Sequence, residues 1–167
     1  MVRYNKYILE EWGFYMHFYE LIKELSKDKK IIIYFDMDGV MASYDFGKPL
    51  DFVNKRPLLS NIKTISKLCG LENVELHILS ICRRDSQIKE KNDWLDKYAP
   101  FFDKDKRMII SKESNPNYTS KRLKLNYLKS LKVKEQLILV DDDNAVLSTV
   151  HDGLKDIILY QDSELVD

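Results

Sequence analysis

The sequence predicts an α/β domain with a doubly wound parallel sheet. Five short apolar segments with strand character alternate along the chain with segments whose apolar residues have helical spacing. This alternation favours βαβ units, whose strands run parallel. The predicted strands are residues 31–35, 74–79, 108–110, 137–140 and 157–160, and the predicted helices are residues 58–69, 88–98, 123–131 and about 145–150.

Composition excludes several classes of protein. The 167 residues are 44% hydrophobic, which suffices for one domain with a real core. The 27 basic and 27 acidic residues balance, so the chain lacks the basic excess of a non-specific nucleic-acid binder. No apolar run reaches the roughly 18 residues of a membrane helix. Two cysteines and the lack of a leader-like start lead us to expect a cytoplasmic protein.

Residues 1–28 are predicted to be an N-terminal helical appendage to a main domain of residues 29–167. The appendage is apolar around much of its circumference, so something must cover it. Packing against its own domain is the favoured interpretation, and a homodimer contact is the alternative. Two helical stripes carry this prediction: Ile8, Trp12, Tyr15, Tyr19 and Ile22, with Phe14, Phe18, Leu21 and Leu25 beside them.

Acidic residues follow two of the predicted strands. Asp36 and Asp38 follow the first strand, and Asp141 and Asp142 follow the fourth. Ligands of open α/β sheets bind beyond the carboxyl ends of the strands, where the strand order reverses. Because carboxylates held together repel one another, we expect a cation there, and hard oxygen ligands favour Mg²⁺. A plain turn with capping aspartates is the alternative for Asp36 to Gly39.

The motifs at these strand ends resemble those of the haloacid dehalogenase-like superfamily. Residues 31–40 match its first motif, an apolar strand followed by Asp-x-Asp-Gly-Val, and Ser80 resembles its second. Residues 137–142 resemble the fourth, and a lysine in the preceding helix would be the third. Residues 78–98, with Lys91-Asn92-Asp93-Trp94-Leu95, are similar to the 5'(3')-deoxyribonucleotidase-like branch. The resemblance implies a Rossmann-like domain.

The resemblance also implies a division of roles. Asp36 would be the nucleophile that forms an aspartyl-phosphate, and Asp38 would be the acid and base. Mg²⁺ would be held by Asp36, the Asp38 carbonyl and Asp142, with Asp141 ordering a bound water. Ser80 and the lysine of the third motif would hold the phosphoryl oxygens.

Three lysines are candidates for the third motif. Lys121 is preferred because it lies at the predicted start of the helix before the acidic pair. Lys124, about one turn further on, is the reserve, and Lys112 after the third strand comes third. Arg83 lies in the loop after Ser80. It either contacts the substrate or forms, with Arg84, a basic pair that is simply exposed to solvent.

The predicted substrate is a nucleoside monophosphate. Residues 41–57 are too few for a large cap domain and form at most a flap, so the cleft is open. Tyr44 and Phe46 in this flap are candidate stacking surfaces for a base, although flap aromatics also pack on their own domain. Phosphatase action on polynucleotide ends or small metabolites is the alternative activity. A non-catalytic binding or regulatory module is the alternative of another class.

Overall fold

The structure is a computed structural model that describes residues 17–44 and 52–166. Strands and helices alternate within it as the sequence predicts. The strands are β1 (Ile31–Phe35), β2 (Val74–Cys82), β3 (Arg107–Ser111), β4 (Gln136–Asp141) and β5 (Ile158–Gln161). The helices are α1 (Phe18–Asp28), α2 (Leu59–Lys67), α3 (Ser86–Tyr98), α4 (Ser120–Ser130) and α5 (Asn144–Gly153). Short 3-10 turns lie at Leu68–Gly70, Lys104–Lys106 and Asp162–Leu165.

The sheet is parallel and doubly wound, which confirms the predicted fold class. The five strands lie in the order β3-β2-β1-β4-β5, and each pair of neighbours is parallel. The chain therefore moves outward from β1 in one direction and then returns to continue on its other side. This reversal places the switch point between the carboxyl ends of β1 and β4.

Helices cover both faces of the sheet because alternate side chains of each strand point to opposite sides. Ile31, Ile33 and Phe35 of β1 join a core cluster that includes residues of α1, α2 and α3. Ile32 and Tyr34 join a second cluster with residues of α4 and α5. Both faces are thus apolar, and polar chemistry is left to the strand ends.

Helix α1 packs against the core of the domain. Phe18, Leu21 and Ile22 are buried there, and Phe18 meets the ring of Tyr160 edge to face at 4.9 Å. In the described part of the predicted appendage, the domain itself therefore covers the apolar face. The stripe residues before position 17 lie outside the described residues, and the homodimer contact stays a prediction. Within residues 17–44 and 52–166, no helix is long and apolar enough to cross a membrane.

The two ends of the predicted flap lie side by side. Ala42 forms an antiparallel bridge with Pro57, and the amide of Ser43 donates to the carbonyl of Arg56 at 2.8 Å. The aromatic ring of Phe52 is buried against Trp94, with ring centroids 5.9 Å apart. This contact anchors the second end of the flap to α3. Phe46 lies outside the described residues.

Candidate active site

Three carboxylates meet at the switch point. Asp36 follows β1, Asp141 ends β4, and Asp142 follows it; one oxygen of each lies within 4.8 Å of the others. Asp36 and Asp141 are buried, and Asp142 is half-buried. The parallel register of β1 and β4, which pairs Phe35 with Val140, brings these residues together. The first and fourth motifs therefore form one site.

The electrostatics of this cluster fit a bound cation. Burial, reinforced by the charge of Asp36, raises the pKa of Asp141 to about 7 and that of Asp142 to about 6. Carboxylates packed this closely away from water need compensating positive charge. Carboxylate oxygens are ligands that hard divalent cations prefer. The residues present thus suit a divalent metal, with Asp36 and Asp142 as the carboxylates best placed to bind it.

Lys124 supplies part of the compensation. Its ammonium group lies 3.2 Å from Asp36 and donates to Asp141 at 2.6 Å. The lysine is buried; burial alone would lower its pKa, but Asp36 and Asp141 outweigh burial and raise it. The other oxygen of Asp141 accepts from the amide of Asp143 at 3.0 Å. Asp141 is thus already engaged on both oxygens, whereas Asp142 is the more open carboxylate.

The structure places Lys124, the reserve candidate, at the carboxylate cluster. Lys121 is exposed in the first turn of α4, and Lys124 lies against Asp36 in its place. Side chains of a helix lean toward its N-terminus, so a residue covers surface near the turn before its own Cα. The lysine that reaches a cleft at the start of α4 therefore comes from one turn further along the helix. Lys112, the third candidate, is exposed beside a neighbouring pocket.

Asp38 does not join the carboxylate cluster with its side chain. Its Oδ1 accepts a short hydrogen bond from Lys55, and its Oδ2 accepts from Lys91 at 2.6 Å. Burial would raise the pKa of Asp38, but the charges of Lys91 and Lys55 overcome it and the net pKa is lowered. Asp38 is therefore ionised in the free protein. Its predicted metal contact through the main-chain carbonyl stays a prediction.

Lys91 links Asp38 to Ser80. Besides Asp38, its ammonium group donates to Ser80 Oγ at 2.8 Å and to the carbonyl of Ile81 at 3.0 Å. These three acceptors use all three N–H groups, which makes burial of the lysine tolerable. Ser80 lies within β2, which runs on to Cys82 and not to Leu79 as predicted. The first and second motifs are thus joined through a lysine.

Helix α3 positions both lysines that bind Asp38, which are Lys91 and Lys55. Lys91 and Trp94 are three residues apart and lie on one buried face of the helix. The indole Nε1 of Trp94 donates to the carbonyl of Lys55 at 2.9 Å, so α3 also holds the main chain that carries Lys55. The tryptophan of the Lys-x-x-Trp segment therefore contributes to the site through the flap.

Gly39 brings the loop after β1 against Asp142. Its φ of 77° lies in the left-handed region that favours glycine. A Cβ placed on Gly39 would lie 2.2 Å from Oδ2 of Asp142. Glycine is thus required here both for the turn, as the sequence predicts, and for space beside a carboxylate of the cluster.

Comparison with known proteins supports the fold. A chain in the solved structure titled "Structure of the Pnkp1/Rnl/Hen1 RNA repair complex" superposes with a TM-score of 0.63 and 14% sequence identity. The match covers 80% of the present chain and 42% of that one, so the present chain spans less than half of its length. No family model matches, and no curated protein matches. At this identity the likeness shows a shared Rossmann-like architecture.

The other predicted substrate contacts lie around a pocket beside Asp38. Tyr44 and Arg83 are exposed and line it, and the ammonium group of Lys55 lies 5.4 Å from the centroid of the Tyr44 ring. Tyr44 is thus open to solvent and next to the site. The stacking role proposed for Phe46 cannot be placed, because that residue lies outside the described segments.

Sequence reasoning missed Lys55 and Lys91 as members of the site. Lys55 is 17 residues from Asp38 and Lys91 is 53 residues from it, so only the tertiary fold brings them together. One signal was present for Lys91: a lysine three residues before a tryptophan lies on the same helical face. If that face is buried, the lysine needs an acidic partner.

Proposed function

We propose that this protein is a metal-dependent phosphomonoesterase that acts on nucleotides through an aspartyl-phosphate on Asp36. The observation that carries the proposal is the cluster of Asp36, Asp141 and Asp142 at the switch point, with Lys124 against Asp36. A nucleophilic carboxylate beside a cation site and a buried ammonium group suits attack on a dianionic phosphate. Similarity of the sequence motifs to the haloacid dehalogenase-like superfamily supports the same chemistry.

The reaction would proceed in two displacements at phosphorus. In the first, an oxygen of Asp36 bonds to phosphorus, the ester P–O bond breaks, and Asp38 gives a proton to the departing oxygen. In the second, Asp38 takes a proton from water while the water oxygen bonds to phosphorus and the Asp36–phosphorus bond breaks. Asp36 is thereby regenerated and inorganic phosphate is released.

The surrounding residues would stabilise charge. Lys124 and the hydroxyl of Ser80 would donate to phosphoryl oxygens, whose charge is spread in the transition state. Asp36 and Asp142 would hold a divalent cation, which we propose is Mg²⁺; when bound, it lowers the repulsion between phosphate and carboxylates. Because Lys55 and Lys91 keep Asp38 ionised, an anionic substrate that draws these lysines away would favour proton uptake by Asp38.

The test is a hydrolysis screen of the wild type and Asp36→Asn over nucleoside monophosphates and a generic aryl phosphate, with and without Mg²⁺. The amide can neither attack phosphorus nor supply an anionic metal ligand, so we expect Asp36→Asn to remove detectable hydrolysis. Asp103→Asn, at an exposed aspartate, is the matched control and should retain wild-type rates. Near-normal turnover by a folded Asp36→Asn protein would contradict the covalent mechanism.

A further inference from the structure

A pocket of about 330 Å³ lies beside Asp38. Asp38 lines it, whereas Asp36, Asp141 and Asp142 are not among its described lining residues. In the proposed reaction, Asp38 protonates the departing oxygen. The pocket therefore lies where the leaving group of the substrate would be.

The lining of this pocket is strongly cationic, although the whole chain has a formal net charge of zero. Its described residues contribute one carboxylate, Asp38, and four basic side chains: Lys55, Lys91, Arg83 and Lys112. Local positive potential of this kind attracts and holds anions.

Two of these cations are buried around a single carboxylate. Lys55 is 5% exposed and Lys91 is 2% exposed, and both bind Asp38. Among the described residues, these two lysines and Asp38 together carry a net charge of +1. The ring of Phe52, with its centroid 5.0 Å from Lys55 Nζ and 4.6 Å from Lys91 Nζ, offsets part of the cost through cation–π contact. A bound anion would offset the rest.

The other two basic side chains, Arg83 and Lys112, lie at the opening of the pocket to solvent. Cys82 at the end of β2 pairs with Ser111 at the end of β3, so the residues that follow them, Arg83 and Lys112, are neighbours at the sheet edge. Both side chains are exposed, and neither forms a salt bridge with another described residue. The cations therefore extend from the buried side of Asp38 to solvent.

From this arrangement we propose that the pocket binds a second phosphate group, carried by the leaving group of the substrate. This inference rests on the proposed function. The preferred substrate is then a nucleotide with a further phosphate beside the scissile one, either as a free phosphate of a bisphosphate or as the phosphodiester of a polynucleotide end. Both present phosphate oxyanions to Lys55, Arg83 and Lys112.

The experiment compares substrates with and without the second phosphate. The first set is a deoxynucleoside 3'-monophosphate, its 3',5'-bisphosphate and a dinucleotide with a terminal 3'-phosphate. The second set is the 5'-monophosphate and a dinucleotide with a terminal 5'-phosphate. We expect kcat/KM to rise by about tenfold or more in at least one set when the second phosphate is present, as a charge-assisted contact provides. The bisphosphate and dinucleotide arms identify the source of the phosphate.

Two double variants test the assignment of residues. In Arg83→Ala/Lys112→Ala, the ratio of kcat/KM with and without the second phosphate should fall to near one. The matched control, Lys63→Ala/Lys67→Ala, removes two exposed positive charges from α2 and should keep the wild-type ratio. Because each ratio is measured on one enzyme, general damage to the protein cancels. Equal kcat/KM for all substrates in the wild type, or an unchanged ratio in Arg83→Ala/Lys112→Ala, would overturn the inference.

A binding measurement separates this inference from the proposed function. If no phosphomonoester is hydrolysed, the proposed function fails, and calorimetric titration with the phosphorylated dinucleotides then tests the pocket alone. Binding by the wild type that weakens about tenfold or more in Arg83→Ala/Lys112→Ala would support the pocket. Absent binding, or equal affinity in the two proteins, would overturn it.

Discussion

Lys124 is the residue on which the charge balance of the carboxylate cluster depends. Its ammonium group is buried and contacts Asp36 and Asp141 together. Breaking a buried ion pair by removing one partner leaves an uncompensated charge, which costs far more than the loss of a surface pair. Lys124 therefore balances the charge of the carboxylate cluster, in addition to the phosphoryl contact that we propose for it.

Replacement of Lys124 tests the contribution of this single residue. Lys124→Met should lower kcat on the order of 100-fold or more, because a preorganised electrostatic contact with the phosphoryl group is lost. Lys121→Ala is the matched control on the same helix and should retain its rate, since its side chain is exposed. Steady-state kinetics at saturating Mg²⁺ measure both. A damaging Lys121→Ala beside a harmless Lys124→Met would reverse the assignment of the third-motif lysine.

The sequence indicates the carboxylates of the site more clearly than it indicates the lysines. Asp36 and Asp142 follow strands whose apolar pattern is unambiguous, so their shared edge follows from parallel pairing. Lys121 and Lys124 differ by one helical turn, and only the direction of side chains on α4 decides between them. The lysines on Asp38 depend on packing between distant segments, which no local pattern reports.

At the scale of elements, the turn after β1 is coupled to the loop after β4. Gly39 takes a left-handed conformation and leaves room for the carboxylate of Asp142. The two loops that hold the carboxylate cluster are therefore fitted to each other at this glycine. A side chain added at Gly39 must displace Asp142, strain the backbone or do both.

Gly39→Ala should therefore damage the site. We expect weaker Mg²⁺ activation, seen as a rise of about tenfold or more in the Mg²⁺ concentration for half-maximal activity, as loss of a metal-orienting contact gives. Gly70→Ala is the control, because a Cβ there would meet no atom within 4 Å. A Mg²⁺ titration of activity compares the two. Equal Mg²⁺ requirements would show that Asp142 is not constrained by Gly39.

Strand β2 carries a pH-dependent contribution to stability at His77. Burial lowers the pKa of His77 from its ordinary value near 6.5, although a hydrogen bond with Glu75 opposes this. The ring lies 4.9 Å from that of its strand partner Tyr34. Since the folded state binds the proton less well than the unfolded state, protonation favours unfolding.

The contribution of His77 to the free energy of unfolding should fall from about pH 7.5 to about pH 5.5, a window around the ordinary histidine pKa. In His77→Phe this part of the pH dependence should be missing. Denaturant unfolding at several pH values measures the difference between the two proteins, in which other titrating groups cancel. A difference that stays constant with pH would show that His77 is not held neutral by the fold.

The positions of the strands were more predictable than the residues at which the strands end. All five strands lie where the alternation of apolar segments predicts them, because burial on both faces selects continuous apolar runs. β2 continues through Ser80 to Cys82, since pairing with β3 from Ile78 to Cys82 extends it beyond the apolar run. Ser80 is for that reason fixed within a strand and not held in a loop.

At the scale of the whole molecule, the doubly wound topology concentrates negative charge at one edge of the sheet. Strands β1 and β4 are adjacent although Asp36 and Asp141 are far apart in sequence. Without a cation, folding must bring their carboxylates and that of Asp142 together against mutual repulsion. A metal ion bound to this cluster would therefore stabilise the fold, because a ligand that binds the folded state alone stabilises it.

Asp142→Asn should change stability in opposite directions with and without metal. In chelator at neutral pH, the variant should melt at a higher temperature than the wild type, because one of three repelling carboxylates is gone. At a Mg²⁺ concentration 100 times Kd, the wild type should gain about 2.7 kcal/mol, or roughly 5–10 °C in melting temperature for a chain of this size. The variant should gain far less, since it has lost an anionic ligand.

Melting curves in chelator and in Mg²⁺ measure both effects, with NaCl of equal ionic strength to control for screening. Equal Mg²⁺ shifts in the two proteins would place the metal elsewhere, whereas a less stable Asp142→Asn in chelator would show that its carboxylate is compensated within the fold.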